Sequence, residues 1–295
     1  MKKRMSQLNR REEMVAYAFL LPTLLGLLIF RVLPIFATFI LSLANWRMMG
    51  NLRWIGLLNY VEMFKDPTFF LSMKNTIIFT VVSVPGSLIF ALLVALKLNE
   101  NIPGKAALRT IYFLPYITMI TAVTSVFLWI FHPQGIVTRL LFFTQKGETP
   151  NLLLDKRYVI YTLSVVQIWR TMGYSLIIYL AGLQTIPVEL YESADVDGAK
   201  SLTKFFNITW PMLTPTTFFL VITGLISSFQ AFDLVYAMTE GGPGVYSHVI
   251  AYYIYRTGFK FFRFGFASAQ SVVLFIIILI VTLIQWRGQQ SWVVE

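Results

Sequence analysis

The 295-residue chain contains no cysteine, only two histidines and few charged residues. Without cysteine it cannot form disulfides, thiolate metal sites or a cysteine nucleophile. The two histidines, His132 and His248, are far apart in the sequence and do not predict a metal site. The sequence has neither a GxxxxGK[ST] phosphate-binding motif nor a Ser–His–Asp order, so nothing in it points to catalysis by this chain.

Charged residues make up 13% of the chain, whereas hydrophobic residues make up 57%. Soluble domains are about half apolar and about a quarter charged. Such an apolar excess cannot be hidden in one soluble core, so the composition predicts a lipid bilayer as solvent. The net charge of +10 is not concentrated on one face, and we therefore do not expect a nucleic-acid partner.

Six long apolar stretches predict an all-α integral membrane protein with six transmembrane helices. A spanning helix needs roughly 20 mostly apolar residues, and none of the stretches alternates as a transmembrane strand would. The stretches are residues 14–43, 75–96, 110–131, 158–184, 211–238 and 264–286. Their prolines are compatible with membrane helices, because neighbouring groups can satisfy the freed carbonyls.

A basic tail, residues 1–13, precedes the first predicted transmembrane helix at residues 14–43. Its basic residues are Lys2, Lys3, Arg4, Arg10 and Arg11. Because basic residues are retained on the cytoplasmic side, we expect this tail in the cytoplasm. Six spans then place both termini there, together with the loop of residues 185–210 between the fourth and fifth spans.

The stretch ELYESADVDGAKSLTKFFNITWPML, residues 189–213, is a charged segment between two apolar spans. On a helix of 3.6 residues per turn, one face of it carries Tyr191, Ala194, Gly198, Leu202 and Phe205. Small residues at the centre of that face allow another surface to come close. The alternative is a helix that lies on the membrane surface, but anionic lipid attracts basic residues, whereas the polar face of this segment is mainly acidic. Gly198 can also divide the segment into two short helices.

The same stretch resembles the EAA loop of bacterial ABC-importer permeases, with the pattern E-A-A, three residues, G, nine residues and I-x-L-P. The matching positions are Glu192, Ser193, Ala194, Gly198, Ile208 and Pro211. Ser193 replaces an alanine of the pattern, and Trp210 replaces its leucine. The resemblance implies contact with an ATPase through Glu192, Ser193, Ala194, Gly198, Leu202 and Phe205.

A second match narrows the class to carbohydrate importers. AFDLVYAMTEGGPG at residues 231–244 resembles the end of the fifth span in permeases of the maltose and glycerol-3-phosphate type. LPYI at 114–117 and GLQTIPVELYE at 182–192 fit the same branch. The resemblance covers about residues 70–288 and implies the type I ABC importer permease architecture, in the first-permease branch.

This resemblance also implies an assembly in the bacterial plasma membrane. The expected partners are a second homologous permease, two copies of an ABC ATPase and an extracytoplasmic sugar-binding protein. The two permeases would each form half of the pathway. ATP would be bound by the ATPase, so no cofactor is expected on this chain.

By the same resemblance, the substrate pathway falls on the fourth and fifth spans. Its predicted positions are Arg170, Thr171, Tyr174, Gly224, Ser228 and Ala231. Ordinary helix packing is the alternative for each of them. Charged residues at membrane depth face a cavity or a partner, so a structural ion pair between Arg170 and Asp233 is a further expectation.

An ion-gradient-driven secondary transporter is the main competing function, with Asp233 as its ion site. The sequence shows no inverted repeat, and the EAA pattern would have no role in such a protein. A third class, an intramembrane enzyme or assembly protein, has only hydrophobicity in its favour.

Overall fold

The chain is a mostly helical protein with two compact units. The computed structural model describes residues 2–47, 50–142 and 150–292, and it describes side chains in residues 12–47, 50–142 and 150–288. The first unit comprises Met1–Lys65 and Arg256–Val273, and the second comprises Asp66–Tyr255 and Leu274–Glu295. The side chains of the basic residues of the predicted cytoplasmic tail, Lys2 to Arg11, lie outside the described residues.

By length and apolar content, the described chain has three helical segments that can cross a membrane, or six if each bent pair of helices is one span. Three are single segments, at Glu12–Ser42, Pro67–Asn99 and Phe264–Gly288. The other three are pairs of helices bent at a short break, at Lys105–Ile117 with Ile120–Ile130, Val159–Gln184 with Val188–Val196, and Ser201–Met212 with Thr214–Phe229. The six-span prediction therefore holds when each bent pair is counted once.

The first unit is built on one long helical segment. Helix α1 (Lys2–Leu27) passes through a π-helical turn (Leu28–Val32) into α2 (Leu33–Ser42), followed by a two-stranded antiparallel ladder of β1 (Ala44–Asn45) and β2 (Arg53–Trp54), then α3 (Leu58–Met63). The buried Asn59 amide donates to the carbonyls of Ser42 and Ala44, at 2.8 and 3.0 Å. These bonds satisfy carbonyl groups where the long helix ends.

The remaining helices begin with α4, which opens the second unit. They are α4 (Pro67–Asn99), α5 (Lys105–Ile117), α6 (Ile120–Ile130), α7 (Ile136–Leu141), α8 (Val159–Gln184), α9 (Val188–Val196), α10 (Ser201–Lys204), α11 (Trp210–Met212), α12 (Thr214–Phe229), α13 (Asp233–Thr239), α14 (Ile250–Tyr255) and α15 (Phe264–Trp292). Asp66 caps α4 by accepting the Thr68 N–H at 2.8 Å, and Pro67 occupies the first turn.

The third predicted span, residues 110–131, is not one straight helix. Helices α5 and α6 meet at an angle of 96°. Thr118 and Met119, which join them, have extended ψ angles of 141° and 135°. The Thr118 hydroxyl and N–H both donate to the Leu114 carbonyl, at 2.7 and 3.1 Å, and so complete the end of α5.

Two buried apolar clusters hold the second unit together, and α8 contributes to both. The inward face of its first part, between Val159 and Val166, belongs to the first cluster, and that of its last part, between Leu176 and Leu183, belongs to the second. Helix α4 is divided in the same way, with Phe79 in the first cluster and the buried apolar residues between Val84 and Leu98 in the second. The part of α8 between the two clusters is therefore left to line a cavity.

Candidate functional site

A cavity of about 310 Å³ lies in the second unit, bordered by α4, α5, α8, α12 and the start of α13. This volume is at the lower end of the roughly 300–1,000 Å³ typical of small-molecule sites. Its lining residues are Ser83, Val84, Ser87, Leu88, Tyr116, Gln167, Arg170, Thr171, Tyr174, Ser175, Leu220, Thr223, Gly224, Ser227, Ser228, Gln230, Ala231 and Asp233. All six residues predicted for the pathway are among them.

Helix α8 presents Arg170, Thr171 and Tyr174 to this cavity, and all three are partly exposed. The Tyr174 ring stacks on Tyr116, with centroids 5.1 Å apart and planes inclined by 24°. The pair forms an aromatic surface beside hydroxyl groups. Such a combination can pack against the apolar face of a sugar ring and hydrogen-bond its hydroxyls.

Arg170 and Asp233 form an ion pair at the cavity. The Arg170 Nη1 donates to Asp233 Oδ2 at 2.9 Å. The other carboxylate oxygen, Oδ1, accepts the Leu234 N–H at 2.9 Å. Asp233 can reach Arg170 because α12 ends at Phe229 and a new helix begins at Asp233. The Arg170 Nε is buried and has no hydrogen-bond partner among the described residues.

The predicted pathway residues on α12 and just after it are packed against neighbouring helices and expose little of their side chains to the cavity. Ser228 is only 3% exposed, and its hydroxyl donates to Thr80 Oγ1 and to the Leu225 carbonyl, both at 2.9 Å. A Cβ atom added at Gly224 would lie 3.1 Å from Val84 Cγ1. Ala231 is buried in the first apolar cluster. These contacts agree with helix packing, the alternative weighed for these positions.

Several cavity residues were missed in the sequence reasoning. The motif LPYI contains Tyr116, but the motif alone gave it no role. Its stacking on Tyr174 depends on where α5 ends, which hydropathy does not reveal. Ser227, Gln167 and Gln230 also line the cavity. They are ordinary polar interruptions in apolar stretches, and only the packing of α4, α8 and α12 distinguishes them from lipid-facing residues.

The loop after α8 consists of two short helices with Gly198 between them. Gly198 has a φ of +72°, a conformation that strains other residues. Its N–H donates to the Asp195 carbonyl at 3.0 Å, and the Ala199 N–H donates to the Ala194 carbonyl at 2.9 Å. These two bonds are those of a Schellman motif, which ends α9. The motif explains why the chain turns here.

The predicted apolar face of the loop is a continuous stripe from Tyr191 to Phe205. The turn at Gly198 divides this stripe, and the prediction is corrected accordingly. Tyr191 and Phe205 pack against the second apolar cluster. Leu202, by contrast, is 73% exposed. The stripe requires one uninterrupted helix, whereas α9 ends at Val196 and α10 begins at Ser201. Phe205 therefore anchors the loop and is not on its exposed surface.

The exposed surface of the loop combines small, acidic and apolar residues. Glu192, Ser193 and Gly198 are exposed, and Ala194 is half-buried. A Cβ added at Gly198 would meet no atom within 4 Å, so the space above it is open. Lys204 Nζ donates to Asp195 Oδ1 at 2.7 Å, and this ion pair ties α10 to α9.

An open groove of about 520 Å³ lies between residues 150–156 and 243–246. Lys156 Nζ is 5.6 Å from the centroid of the Tyr246 ring in this groove. Hydrogen bonds from the Arg157 side chain and N–H lower the pKa of the Asp155 carboxyl to about 2. Asp155 and Lys156 give the groove one side chain of each charge sign.

In the ranges that the structure describes, no three His, Asp or Glu side chains come together to hold a metal ion. His132 is an exposed loop residue, whereas His248 is fully buried.

Comparisons with known proteins extend over nearly the whole chain. Residues 73–287 match the family model described as "Binding-protein-dependent transport system inner membrane component". The lactose transport system permease protein LacF of Rhizobium radiobacter is 34% identical, over 97% of each chain. The sulfoquinovosyl glycerol transport system permease protein SmoG of Agrobacterium fabrum is 32% identical, over 95% of this chain and 92% of SmoG.

The fold has a matching solved structure. A chain from "Crystal structure of bacterial alginate ABC transporter in complex with alginate pentasaccharide-bound periplasmic protein" superimposes with a TM-score of 0.83. The two chains are 26% identical, and the match covers 95% of this chain and 96% of that one. The all-α permease architecture predicted from the EAA resemblance is thereby confirmed.

Proposed function

The chain belongs to the family of binding-protein-dependent transport system inner membrane components, and from that membership we propose that it forms half of an ATP-driven import pathway for carbohydrate. The observation that carries this proposal is the cavity. Its hydroxyl, amide and aromatic groups suit sugar, and it includes every position that the resemblance assigned to the pathway. In this proposal residues 70–288 form the transmembrane domain of the importer.

Three kinds of partner complete the proposed importer. A second homologous permease closes the other half of the pathway, and two copies of an ABC ATPase supply the energy. An extracytoplasmic binding protein delivers the sugar. ATP is bound by the ATPase, so this chain needs no cofactor of its own. The basic tail and the even number of spans support placing both termini in the cytoplasm.

The loop of residues 185–210 is the proposed contact with the ATPase. The contact surface consists of Glu192, Ser193, Ala194, Gly198 and Leu202. Phe205 packs against the second apolar cluster and so holds the loop to the helices that form it. The support is the open space over Gly198 and the exposure of Leu202 beside acidic groups. A basic groove on the partner would complement this surface.

Transport follows from coupling between the loop and the cavity. ATP binding brings the two ATPases together and moves the docked loops with them. Because α8 runs without interruption from the cavity to the loop, a displacement at one end is transmitted to the other. ATP drives this change only through a difference in its affinity for the two states.

The groove between residues 150–156 and 243–246 is a proposed contact for the binding protein. Both segments fall outside the membrane if the tail is cytoplasmic. The groove offers an aromatic ring, Tyr246, a residue type that is enriched at protein interfaces, with the Lys156 cation beside it.

Co-purification and ATPase assays test the proposed function. The tagged chain should bring down an ATPase and a second permease from detergent, and the complex should hydrolyse ATP faster when a sugar-loaded binding protein is added. A secondary transporter would do neither. The ion pair also disfavours that alternative, since Asp233 is already balanced by Arg170 and is not a vacant cation site.

A further inference from the structure

The charges of the cavity are balanced. Among the eighteen described residues that line it, only Arg170 and Asp233 are charged, and they carry opposite signs. The other polar lining residues are hydroxyls and amides, including Tyr116, Thr171 and Gln230. The part of the pathway that this chain contributes therefore has no net charge.

From this balance we propose that the cavity selects uncharged sugars over acidic ones and that the Arg170–Asp233 pair determines this selectivity; the inference rests on the proposed sugar pathway. Arginine in a polar cavity would by itself favour a carboxylate, phosphate or sulfonate. Here its charge is already matched by a carboxylate that belongs to the protein.

The pair is held in place by contacts on both sides. Asp233 uses Oδ2 for the Arg170 guanidinium and Oδ1 for the Leu234 N–H. Arg170 is the more enclosed partner, with 21% of its side chain exposed against 46% for Asp233. An acidic sugar that approached Arg170 would have to displace this carboxylate or lie beside it. The sugar carboxylate and the Asp233 carboxylate would then both lie beside the Arg170 guanidinium, and these like charges repel each other.

A neutral sugar meets no such obstacle. A hydroxyl group both donates and accepts, whereas an ionised carboxylate only accepts. The pair offers a sugar hydroxyl both functions at once, since guanidinium N–H groups donate and carboxylate lone pairs accept. The same arrangement thus attracts hydroxyl groups and rejects added negative charge.

The test measures sugar binding to the complex that co-purifies with the tagged full-length chain. The binding protein is omitted, so that its own selectivity does not enter. The probes are methyl glucoside and methyl galactoside, the corresponding disaccharides, and the uronides that differ from each only by a carboxylate in place of CH₂OH. The measured quantity is the ratio of affinities within each neutral and acidic pair, by radioligand competition.

The wild type should prefer the neutral member of each pair that binds. Asp233→Asn keeps the size of the side chain but leaves Arg170 unbalanced, and it should shift the ratio toward the acid by on the order of tenfold or more. The double variant Arg170→Gln with Asp233→Asn restores neutrality and should return the preference to neutral sugars. Glu100→Gln, which disrupts the exposed Lys97–Glu100 pair at 2.9 Å, should leave the ratio unchanged.

Two results would overturn this inference alone: a wild type that prefers the uronides, or an Asp233→Asn variant that assembles and keeps the wild-type ratio. If Asp233→Asn fails to assemble, Arg170→Gln decides. It leaves a net negative cavity and should lower the affinity for uronides further, and a rise would contradict the inference. A wild-type complex that binds no sugar of either kind would instead remove the proposed pathway, and the inference with it.

Discussion

The cavity and the loop after α8 place opposite kinds of residue in opposite surroundings. The cavity gathers polar side chains between two apolar clusters. The loop exposes apolar side chains among charges, with Val196 89% exposed and Leu202 73% exposed. Apolar side chains exposed on a loop lack the burial that usually stabilises them, which a partner protein can supply, and polar side chains in a cavity can hydrogen-bond a ligand.

The two regions also differ in how firmly their residues are held. Cavity residues are fixed by neighbours, as Tyr174 is by Tyr116 and Asp233 by Arg170 and the Leu234 N–H. The centre of the loop is held by its own turn and by one ion pair between exposed helices. Substitutions in the cavity should therefore change sugar affinity, and those in the loop should change coupling to the ATPase.

The largest effect is expected from Gly198→Trp, which should abolish uptake. A non-glycine residue at φ +72° is strained, and an indole would fill the open space at the proposed ATPase contact. Gly198→Asn is the matched control, because asparagine tolerates this conformation and is small. Uptake and ATPase recovery are measured for both. If the tryptophan variant retained its ATPase and transported at the wild-type rate, the proposed docking of the ATPase on this loop would be contradicted.

Tyr174→Ala should lower apparent sugar affinity by about tenfold or more, because the aromatic surface is lost with the hydroxyl. Tyr174→Phe keeps the ring and should cost about fivefold, or about 1 kcal/mol. Both variants should retain the ATPase, since the loop is unchanged. Uptake across a range of sugar concentrations measures the two effects. Wild-type uptake by the alanine variant at every concentration would place Tyr174 in helix packing.

Ser227 and Ser228 are adjacent but should respond differently. Ser228 is buried and bonded to Thr80, so Ser228→Ala should lower stability by about 1 kcal/mol with little change in affinity. Ser227 is exposed to the cavity, so Ser227→Ala should weaken sugar binding by up to about fivefold without loss of stability. Thermal unfolding and uptake are measured for each. If Ser228→Ala weakened sugar binding and Ser227→Ala lowered stability instead, Ser228 would be the residue that faces the sugar and Ser227 the packed one.

The smallest effect is expected from Asp195→Asn in the loop. It weakens the Lys204–Asp195 pair, whose aspartate is 63% exposed. Exposed pairs contribute about 0.2–1 kcal/mol, so coupling should fall by less than about fivefold. The measurement is sugar-stimulated ATP hydrolysis at low and high salt. A complete loss of coupling would show that this pair, and not the turn at Gly198, holds the loop in its docking conformation.

Hydropathy predicts the bounds of a span closely where the helix is uninterrupted. The predicted fourth span, residues 158–184, corresponds to α8 at Val159–Gln184. It was insufficient within 110–131, because the bend at Thr118 and Met119 depends on two backbone angles and not on apolar content. The fifth predicted span, 211–238, likewise conceals the break before Asp233.

The predicted pathway residues came from the family resemblance. It assigned Arg170, Thr171 and Tyr174 to the pathway, and the structure places all three at one cavity. Contacts between helices were not accessible in this way. The bond from Ser228 to Thr80 joins residues 148 positions apart, and the division of the loop stripe follows from hydrogen bonds at Gly198 that no periodicity contains.

The most direct test of the account is sugar-dependent ATP hydrolysis by the complete complex in proteoliposomes, with its binding protein present. The wild type should hydrolyse ATP several times faster with sugar than without it. Tyr174→Ala should need more sugar for the same stimulation, and Gly198→Trp should show none at any sugar concentration. Equal hydrolysis with and without sugar in the wild type, from a complex that contains the ATPase, would contradict the claim that this chain couples a sugar pathway to ATP.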